Sequence, residues 1–349
     1  MNIEKNTTNL KKRPGQNEQT YFGRGKLLLS GEYFVLDGAS ALVLPTKLGQ
    51  SMTVRYSPSF NPKLHWKSFD SNNDLWFESK FEFWHFDCLD SSSDSTVMFL
   101  QKILRQARKQ NQHFLRDDVD VYVETNLEFP LDWGLGSSST LIYNVAQWAY
   151  VSPFNLLFNI YNGSGYDVAA ASSDCPILYE KGKQGPRWRL SKFDPVFKDN
   201  LYFVFMGNKV DSFKAIEAYL NKKMNSTPVV NELSKISGLM EEATNLRQFN
   251  SLIKSHEQIV SESLNMTRMK EACFSDYWGE VKSLGAWGGD FVLVTSKKSY
   301  EETKDYFALH GNQVIIPYEA MVYNKNSKVD FSPLPVVPED ANRISHFLQ

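Results

Sequence analysis

A glycine- and serine-rich loop is the segment whose residue types most directly suggest chemistry. It runs Pro130-Leu-Asp-Trp-Gly-Leu-Gly-Ser-Ser-Ser-Thr140 and precedes apolar residues at helical spacing. The glycines permit a tight turn, and the serines stand where a helix is capped. Backbone N–H groups and the positive end of the helix would converge on one point, which suits the phosphates of a nucleotide. The predicted phosphate-binding residues are Gly134, Leu135, Gly136, Ser137, Ser138 and Ser139.

The loop is not a Walker A motif, because no Lys-Ser or Lys-Thr pair follows its second glycine. Taken alone, it could also be an ordinary helix-capping turn. A second turn, Gly163-Ser-Gly-Tyr-Asp167, places a carboxylate directly after two glycines. An aspartate in that position commonly caps the next helix, but it can also accept a proton from a substrate hydroxyl.

Two more segments carry residues that could approach a ligand. Gly285-Ala-Trp-Gly-Gly-Asp290 precedes an apolar strand, where backbone could come close to a bound molecule. The segment Gly25-Lys-Leu-Leu-Leu-Ser-Gly-Glu-Tyr33 places a single lysine, Lys26, at the start of an apolar strand. A lysine is usually solvated, whereas one among apolar neighbours is a charge that needs a partner or a task.

The patterns around these loops indicate an α+β fold. Alternating or apolar stretches predict strands at 24–30, 33–36, 51–56, 119–125, 201–206, 291–295 and 313–318, and a long strand or hairpin over 75–86. Helical spacing predicts helices at 97–109, after the loop 134–139, and at about 211–222, 229–246, 249–265 and 299–309. We expect a flexible tail over 1–20, two domains over 21–194 and 195–349, and an extended proline-bearing stretch from Ser332.

The composition excludes several classes of protein. The chain has 349 residues, 42% of them hydrophobic, which is enough for one large or two medium cores. Basic and acidic residues nearly cancel, at 38 against 40, so no charge excess favours nucleic acid as a partner. Cys88, Cys175 and Cys273 lie far apart, which argues against a disulfide framework or a zinc site and fits a reducing cytoplasm. No apolar run approaches the ~18 residues of a membrane span, and the first twenty residues lack the apolar stretch of a secretion signal.

Together and in this order, the four segments resemble the GHMP kinases, which include galactokinase, homoserine kinase, mevalonate kinase and phosphomevalonate kinase. The resemblance runs from about Tyr21 to Thr295. GKLLLSGEYFVLDGASALVLP is similar to the family's first motif, GLGSSS to the second, which wraps the ATP phosphates, and GAWGGD to the third. The resemblance implies a ribosomal-S5-like N-terminal domain packed on a ferredoxin-like C-terminal domain, with the active site between them. It also implies ATP and Mg²⁺ as cofactors and a cytoplasmic monomer or homodimer that binds a small molecule, not nucleic acid or a membrane.

Carried over residue by residue, the resemblance implies that Lys26 and Asp167 form a catalytic pair. Asp167 would accept the proton of the substrate hydroxyl, and Lys26 would offset charge as the phosphoryl group transfers. Ser138 matches the serine that ligates magnesium in mevalonate kinases. The third-motif loop would contribute Gly285, Ala286, Gly288, Gly289 and Asp290. The predicted substrate-binding residues are Glu32, Tyr33, Ser164, Gly165, Lys209 and Lys214.

The sequence departs from the family pattern at three places. Mevalonate kinases carry a glutamate, the second magnesium ligand, on a helix before the aspartate turn, but the stretch AYVSPFNLLFNIYNGSG contains no acidic residue. Tyr33 stands where mevalonate kinases usually carry histidine, and Trp287 replaces a glycine of the third loop. We therefore assign no second magnesium ligand.

The motif details are more similar to phosphomevalonate kinases than to galactokinases or homoserine kinases. Lys209 and Lys214 flank a turn at the start of a predicted helix and could bind the phosphate that such a substrate already bears. Both lysines could equally be solvated, so mevalonate is the alternative substrate. A kinase fold that has lost its chemistry and only binds a ligand is a further alternative. Diphosphomevalonate decarboxylase ranks lower, because its first motif normally lacks the GKLLLSGEY form.

Overall fold

The computed structural model describes residues 18–90, 94–116, 118–207, 212–221, 226–285, 287 and 290–326. Most of the predicted tail over 1–20, the turn residue Lys209 and the proline-bearing stretch from Ser332 therefore lie outside the described residues. The described part begins with a strand at Glu18, so the last three residues of the predicted tail belong to a sheet. No helix in the described ranges is long and apolar enough to cross a membrane.

A seven-stranded sheet forms the larger layer of the described structure. Its strands are β1 (Glu18–Leu28), β2 (Ala41–Pro58), β3 (Lys63–Phe69), β4 (Leu75–Glu82), β5 (Val119–Leu127), β6 (Ile177–Gly182) and β7 (Gly185–Leu190). The order is β4-β3-β5-β2-β6-β7, with β1 also paired to β2. Only β3 and β5 run parallel; the other neighbours are antiparallel. The clean alternation predicted for β5 is confirmed, since Val121 and Val123 are buried while Tyr122 between them is exposed.

A second, four-stranded sheet follows in the C-terminal half. It consists of β8 (Leu201–Phe205), β9 (Val281–Ser283), β10 (Phe291–Thr295) and β11 (Ile315–Pro317). The order is β11-β8-β10-β9, and all its pairs are antiparallel. Because β8 and β10 are buried on both faces, they read in the sequence as continuous apolar runs.

Helices cover both sheets. In the N-terminal half they are α1 (Ser95–Gln110), α2 (Ser137–Ala149), α3 (Pro153–Ile160) and α4 (Tyr166–Ala171). In the C-terminal half they are α5 (Ser212–Leu220), α6 (Thr227–Glu241), α7 (Leu246–Leu264), α8 (Met269–Cys273), α9 (Tyr300–Leu309) and α10 (Tyr318–Met321). The predicted helix starts have local causes: Asp94 caps α1, and Ser299 with Glu302 forms a capping box on α9.

The largest apolar core extends across both sheets. It includes Leu27 of β1 and Leu127 of β5 from one sheet, Phe203 and Leu293 from the other, and Phe249 of α7 between them. A separate core lies between the larger sheet and helices α1 to α3. The shared core holds the two halves of the chain together, so loops from both halves can line one site.

One predicted strand is wrong. Residues 33–36 were expected to be extended, but Phe34–Asp37 form a short 3-10 helix. Three left-handed residues surround it, Gly31 (φ 88°), Tyr33 (φ 59°) and Gly38 (φ 97°), so the chain cannot continue as a strand. The predicted long strand over 75–86 ends at Glu82, and β3, its partner, was not predicted. The strand expected over 313–318 is shorter, since helix α10 begins at Tyr318.

Candidate active site

The glycine- and serine-rich loop connects β5 to α2 and lies across β1. Gly134 (φ 63°) and Gly136 (φ 95°) adopt left-handed conformations, which the sequence analysis required of a tight turn. Leu135 points away from the loop into the shared core. Its carbonyl accepts the backbone N–H of Lys26 at 2.9 Å, and the carbonyl of Gly134 accepts the Lys26 ammonium at 2.9 Å. Lys26 therefore holds the loop in place through both its backbone N–H and its side-chain ammonium.

Lys26 is half-buried beneath this loop. Removal from water lowers the pKa of its ammonium, while the carboxylates of Asp290 and Asp167 act in the opposite direction. In the described structure Lys26 makes no direct ion pair with Asp167, although the resemblance implies that they act as a pair. Their interaction in this structure is electrostatic only.

Asp167 lies in the first turn of α4 and faces the first turn of α2. Its carboxylate accepts a hydrogen bond from the Ser139 hydroxyl at 2.5 Å and one from the Val168 N–H at 2.9 Å. Burial raises the pKa of the nearby Tyr161 phenol well above the usual value, and the charge of Asp167 raises this pKa further. The two serine-containing turns are thus joined directly, and the Asp167 carboxylate is held in a fixed orientation.

The turn before Asp167 is shaped by close packing. Gly165 has φ 92°, and an added Cβ would lie 2.9 Å from the Tyr179 hydroxyl oxygen. That hydroxyl donates to the carbonyl of Ser164 at 2.5 Å, and Ser164 itself is buried. The structure therefore shows Ser164 and Gly165 forming the backbone turn that presents Asp167.

The third-motif loop meets the glycine- and serine-rich loop over 134–139, the predicted phosphate loop, at Asp290. A Cβ added to Gly134 would lie only 1.6 Å from Asp290 Oδ2, so the carboxylate of one loop packs against the backbone of the other. Gly285 has φ 63°. Ala286, Gly288 and Gly289 lie outside the described residues, and their predicted role stays a prediction.

The two aromatic departures from the family pattern lie close together. Tyr33 packs against the apolar cluster in which the indole of Trp287 is buried with Phe34 and Tyr219. Tyr33 stacks on Tyr219 of α5, with ring centroids 5.4 Å apart. Tyr33 therefore connects the first-motif turn (residues 31–38), α5 and the third-motif loop.

Glu32 is placed differently from what was predicted. A direct substrate contact requires an accessible carboxylate, but the Glu32 side chain has no exposed surface. Its Oε1 accepts the Lys282 ammonium at 2.5 Å, and its Oε2 lies 3.1 Å from His256 Nε2. Glu32 is therefore an internal residue beneath Tyr33 in this structure, and this part of the prediction is corrected.

The remaining predicted substrate residues are only partly described. Lys214 is exposed on α5, and Lys209 lies outside the described residues. Two residues that the sequence analysis missed, Tyr161 and Tyr166, lie beside Asp167. Tyr166 also adjoins Lys26, whose ammonium is 5.9 Å from the ring centroid. A tyrosine beside the predicted base is a visible sequence signal, but its direction is set only by the fold.

The oxygen atoms near the phosphate loop fit a magnesium ion that is bound mainly through nucleotide and water. Ser138 lies on the first turn of α2 next to Ser139, and the Asp167 and Asp290 carboxylates face the same loop. Magnesium prefers such hard oxygen ligands and commonly keeps several waters. The described residues contain no group of three or more acidic, histidine or cysteine side chains that could hold a metal ion by themselves.

No protein-family model matches the chain, and no curated protein matches it in sequence. Solved structures do match in fold. The L. major mevalonate kinase in complex with R-mevalonate matches with a TM-score of 0.62 and 15% identity, over 90% of this chain and 99% of that one. The Methanococcus jannaschii mevalonate kinase matches with a TM-score of 0.63 and 13% identity, over 87% and 98%. The Streptococcus pneumoniae phosphomevalonate kinase in complex with phosphomevalonate and AMPPNP matches with a TM-score of 0.60 and 15% identity, over 85% and 98%. The predicted α+β fold is therefore confirmed: this chain has the fold seen in the solved mevalonate and phosphomevalonate kinases.

Proposed function

We propose that the chain is an ATP-dependent kinase that phosphorylates a small metabolite. The observation that supports this proposal is that three segments from distant parts of the sequence meet at one site. Asp167 is oriented by Ser139, the glycine loop rests on Lys26, and Asp290 closes against Gly134. A carboxylate base, an anion cradle and a cation are the parts that phosphoryl transfer requires.

In this mechanism the residues of the chain bind the phosphates, accept a proton and offset negative charge. The loop N–H groups and the start of α2 bind the ATP phosphates. The Asp167 carboxylate, held by Ser139, accepts the proton of the acceptor hydroxyl. Lys26 offsets the negative charge that spreads over the phosphoryl oxygens. A magnesium ion held by Ser138 and the nucleotide phosphates would neutralise further charge on those phosphates.

Phosphomevalonate is the acceptor that we propose first. It already carries a phosphate, and Lys209 with Lys214 would supply cations for it. Lys214 lies on α5, and Tyr219 of the same helix stacks on Tyr33, so α5 is attached to the first-motif turn. Mevalonate is the alternative acceptor.

The activity is tested by a coupled assay of ADP release over mevalonate, phosphomevalonate, homoserine and sugars. We expect turnover with phosphomevalonate and a lower kcat/KM with mevalonate. The variant Asp167→Asn serves as the background for each acceptor. ATP binding without turnover on any of these acceptors would instead support the second candidate, a ligand-binding protein with a kinase fold. The absence of an acidic residue over 148–166 favours that candidate.

The lysines are tested by neutralising them together, in Lys209→Gln/Lys214→Gln. A charge-assisted contact is worth about 1.5–3 kcal/mol, so KM for phosphomevalonate should rise roughly ten- to a hundred-fold, while KM for mevalonate stays near wild type. Raised salt should weaken only the preference for the phosphorylated substrate. Lys80→Gln, an exposed lysine on the edge strand β4, is the matched control. An equal loss for both acceptors would mean that the lysines do not bind a substrate phosphate.

A further inference from the structure

Four ionisable side chains form a buried cluster between the two halves of the chain. Glu32, His256 and Lys282 have no exposed surface, and Glu257 is 2% exposed. The Lys282 ammonium donates to Glu32 Oε1 at 2.5 Å and to Glu257 Oε1 at 3.3 Å. It also donates to the Ser283 carbonyl at 3.0 Å. One ammonium thus joins two carboxylates that come from opposite halves of the chain.

The histidine of this cluster is bound to the first-motif backbone. His256 Nε2 accepts the Gly31 N–H at 3.0 Å and lies 3.1 Å from Glu32 Oε2. Burial raises the pKa of Glu32 and lowers the pKa of His256, so burial disfavours the charged form of each group.

The cluster connects the two segments that frame the acceptor side of the site. Gly31 and Glu32 begin the first-motif turn, and the next residue, Tyr33, has a left-handed backbone. Lys282 lies on β9, directly before the third-motif loop, whose Trp287 packs in the same apolar cluster as Tyr33. Burial raises the pKa of the Tyr166 hydroxyl, and the nearby Asp167 and Glu32 raise it further, so Glu32 lies close to the residue beside Asp167.

We propose that Glu32, His256, Glu257 and Lys282 are positioning residues that fix the first-motif turn against β9, and thereby set where Tyr33 meets the acceptor. This inference rests on the proposed function. Within the described residues, the hydrogen bonds and ion pairs of this cluster do not reach the phosphate loop, so its effect should fall on the acceptor rather than on ATP. Removing one charged member of the cluster leaves a buried charge uncompensated, which is strongly unfavourable.

The first test is Lys282→Met, which keeps the length of the side chain and removes the charge. We expect KM for the acceptor to rise about ten-fold or more, since one charged hydrogen-bonded contact commonly carries that factor. KM for ATP should stay within about two-fold. The matched control is Glu241→Gln, which breaks the Arg189–Glu241 ion pair between β7 and α6. This control should lower stability without shifting the acceptor KM. A normal acceptor KM in folded Lys282→Met, or an equal shift in the control, would overturn the proposal.

A pair of histidine variants decides the question if Lys282→Met does not fold. Glutamine can accept the Gly31 N–H as the imidazole does, whereas leucine cannot. We expect His256→Gln to keep a nearly normal acceptor KM and His256→Leu to raise it. Identical behaviour of the two variants would contradict the positioning role.

Hydrogen exchange over residues 31–38 and 281–285 separates failure of this inference from failure of the proposed function. If the wild-type protein turns over no acceptor, the proposed function fails, yet the cluster can still be judged. Faster exchange in both segments of His256→Leu, and not of His256→Gln, would support the cluster as the link between them. Unchanged exchange in both variants would reject it.

Discussion

Adjacent serines of the phosphate loop have different surroundings and should therefore have different roles. The Ser139 hydroxyl donates to Asp167, whereas Ser138, one residue earlier in the same helical turn, is half-buried. Ser139→Ala removes a hydrogen bond to a charged group, worth about 1.5–3 kcal/mol, so kcat should fall roughly ten- to a hundred-fold. Ser138→Ala should instead raise the magnesium concentration needed for half-maximal rate. A magnesium titration of both variants distinguishes the roles, and a magnesium shift in Ser139→Ala alone would reverse our assignment.

Asp167 can be tested as the base with a nearly isosteric change. Asp167→Asn keeps the shape but cannot accept the proton, so kcat should fall by about 10²–10⁴ while ATP still binds. Calorimetry would measure ATP binding, and the coupled assay would measure turnover. Asp174→Asn, an exposed aspartate near Arg24, serves as the control. A nearly normal kcat in Asp167→Asn would exclude this residue as the base.

At the scale of an element, the phosphate loop depends on one close approach. Gly134→Ala would place a methyl group where Asp290 Oδ2 now lies, so the third-motif carboxylate must move. Gly185 in the β6–β7 turn also has positive φ (111°), but a Cβ there meets nothing within 4 Å. Both changes should cost about 1–2 kcal/mol of backbone strain. Only Gly134→Ala should also raise KM for ATP, by about ten-fold or more, and equal ATP kinetics in the two variants would contradict this packing.

The first-motif turn shows why an element can be misread from its composition. Residues 33–36 are apolar and β-prone, yet Phe34 and Val35 are buried as part of a short 3-10 helix. The polar contacts that hold this turn come from far away, since His256 accepts the Gly31 N–H. Its conformation is therefore decided by the C-terminal half rather than by local propensity.

At the scale of the whole molecule, the buried cluster couples stability to pH. Burial, together with the nearby Glu32 carboxylate, raises the pKa of Glu257 to about 7, and Lys282 acts in the opposite direction. His256 and Arg268 are the other charged or titratable groups that face Glu257. The ordinary pKa of a glutamate is 4.5. A carboxyl group whose pKa is raised in the folded protein contributes its full stabilisation at pH values below 4.5, and this contribution is lost as the pH rises through about 7.

The variant Glu257→Gln removes this titration and so reveals its size. A shift from 4.5 to about 7 corresponds to about 3 kcal/mol. The free energy of unfolding of the wild type should fall by up to that amount relative to Glu257→Gln as the pH rises from about 4.5 to about 8. Denaturant unfolding across this range measures it. Glu262→Gln, an exposed change on the same helix, should show no such pH-dependent difference, and parallel curves for wild type and Glu257→Gln would refute the shift.

The sequence by itself determined the order of the motifs, most of the long helices and strands, and the position of the glycine- and serine-rich loop before α2. These features are local, because a glycine turn, a helix cap or an alternating strand depends on neighbours within a few residues. The helices α1, α6 and α7 and the strands β5, β8 and β10 were therefore predicted close to their observed positions.

Only the tertiary structure decided which polar side chains meet. Glu32 was predicted at the substrate, but Lys282, 250 residues away, holds it inside the molecule. Tyr33 and Trp287 each depart from the family pattern, and only the fold brings them together. Contacts of this kind form because the two sheets pack on one shared core. The spacing of residues along the sequence does not reveal which residues meet across that core. A buried charge is stable only where its partner also arrives, so this part of the site is set by packing rather than by the motif that contains it.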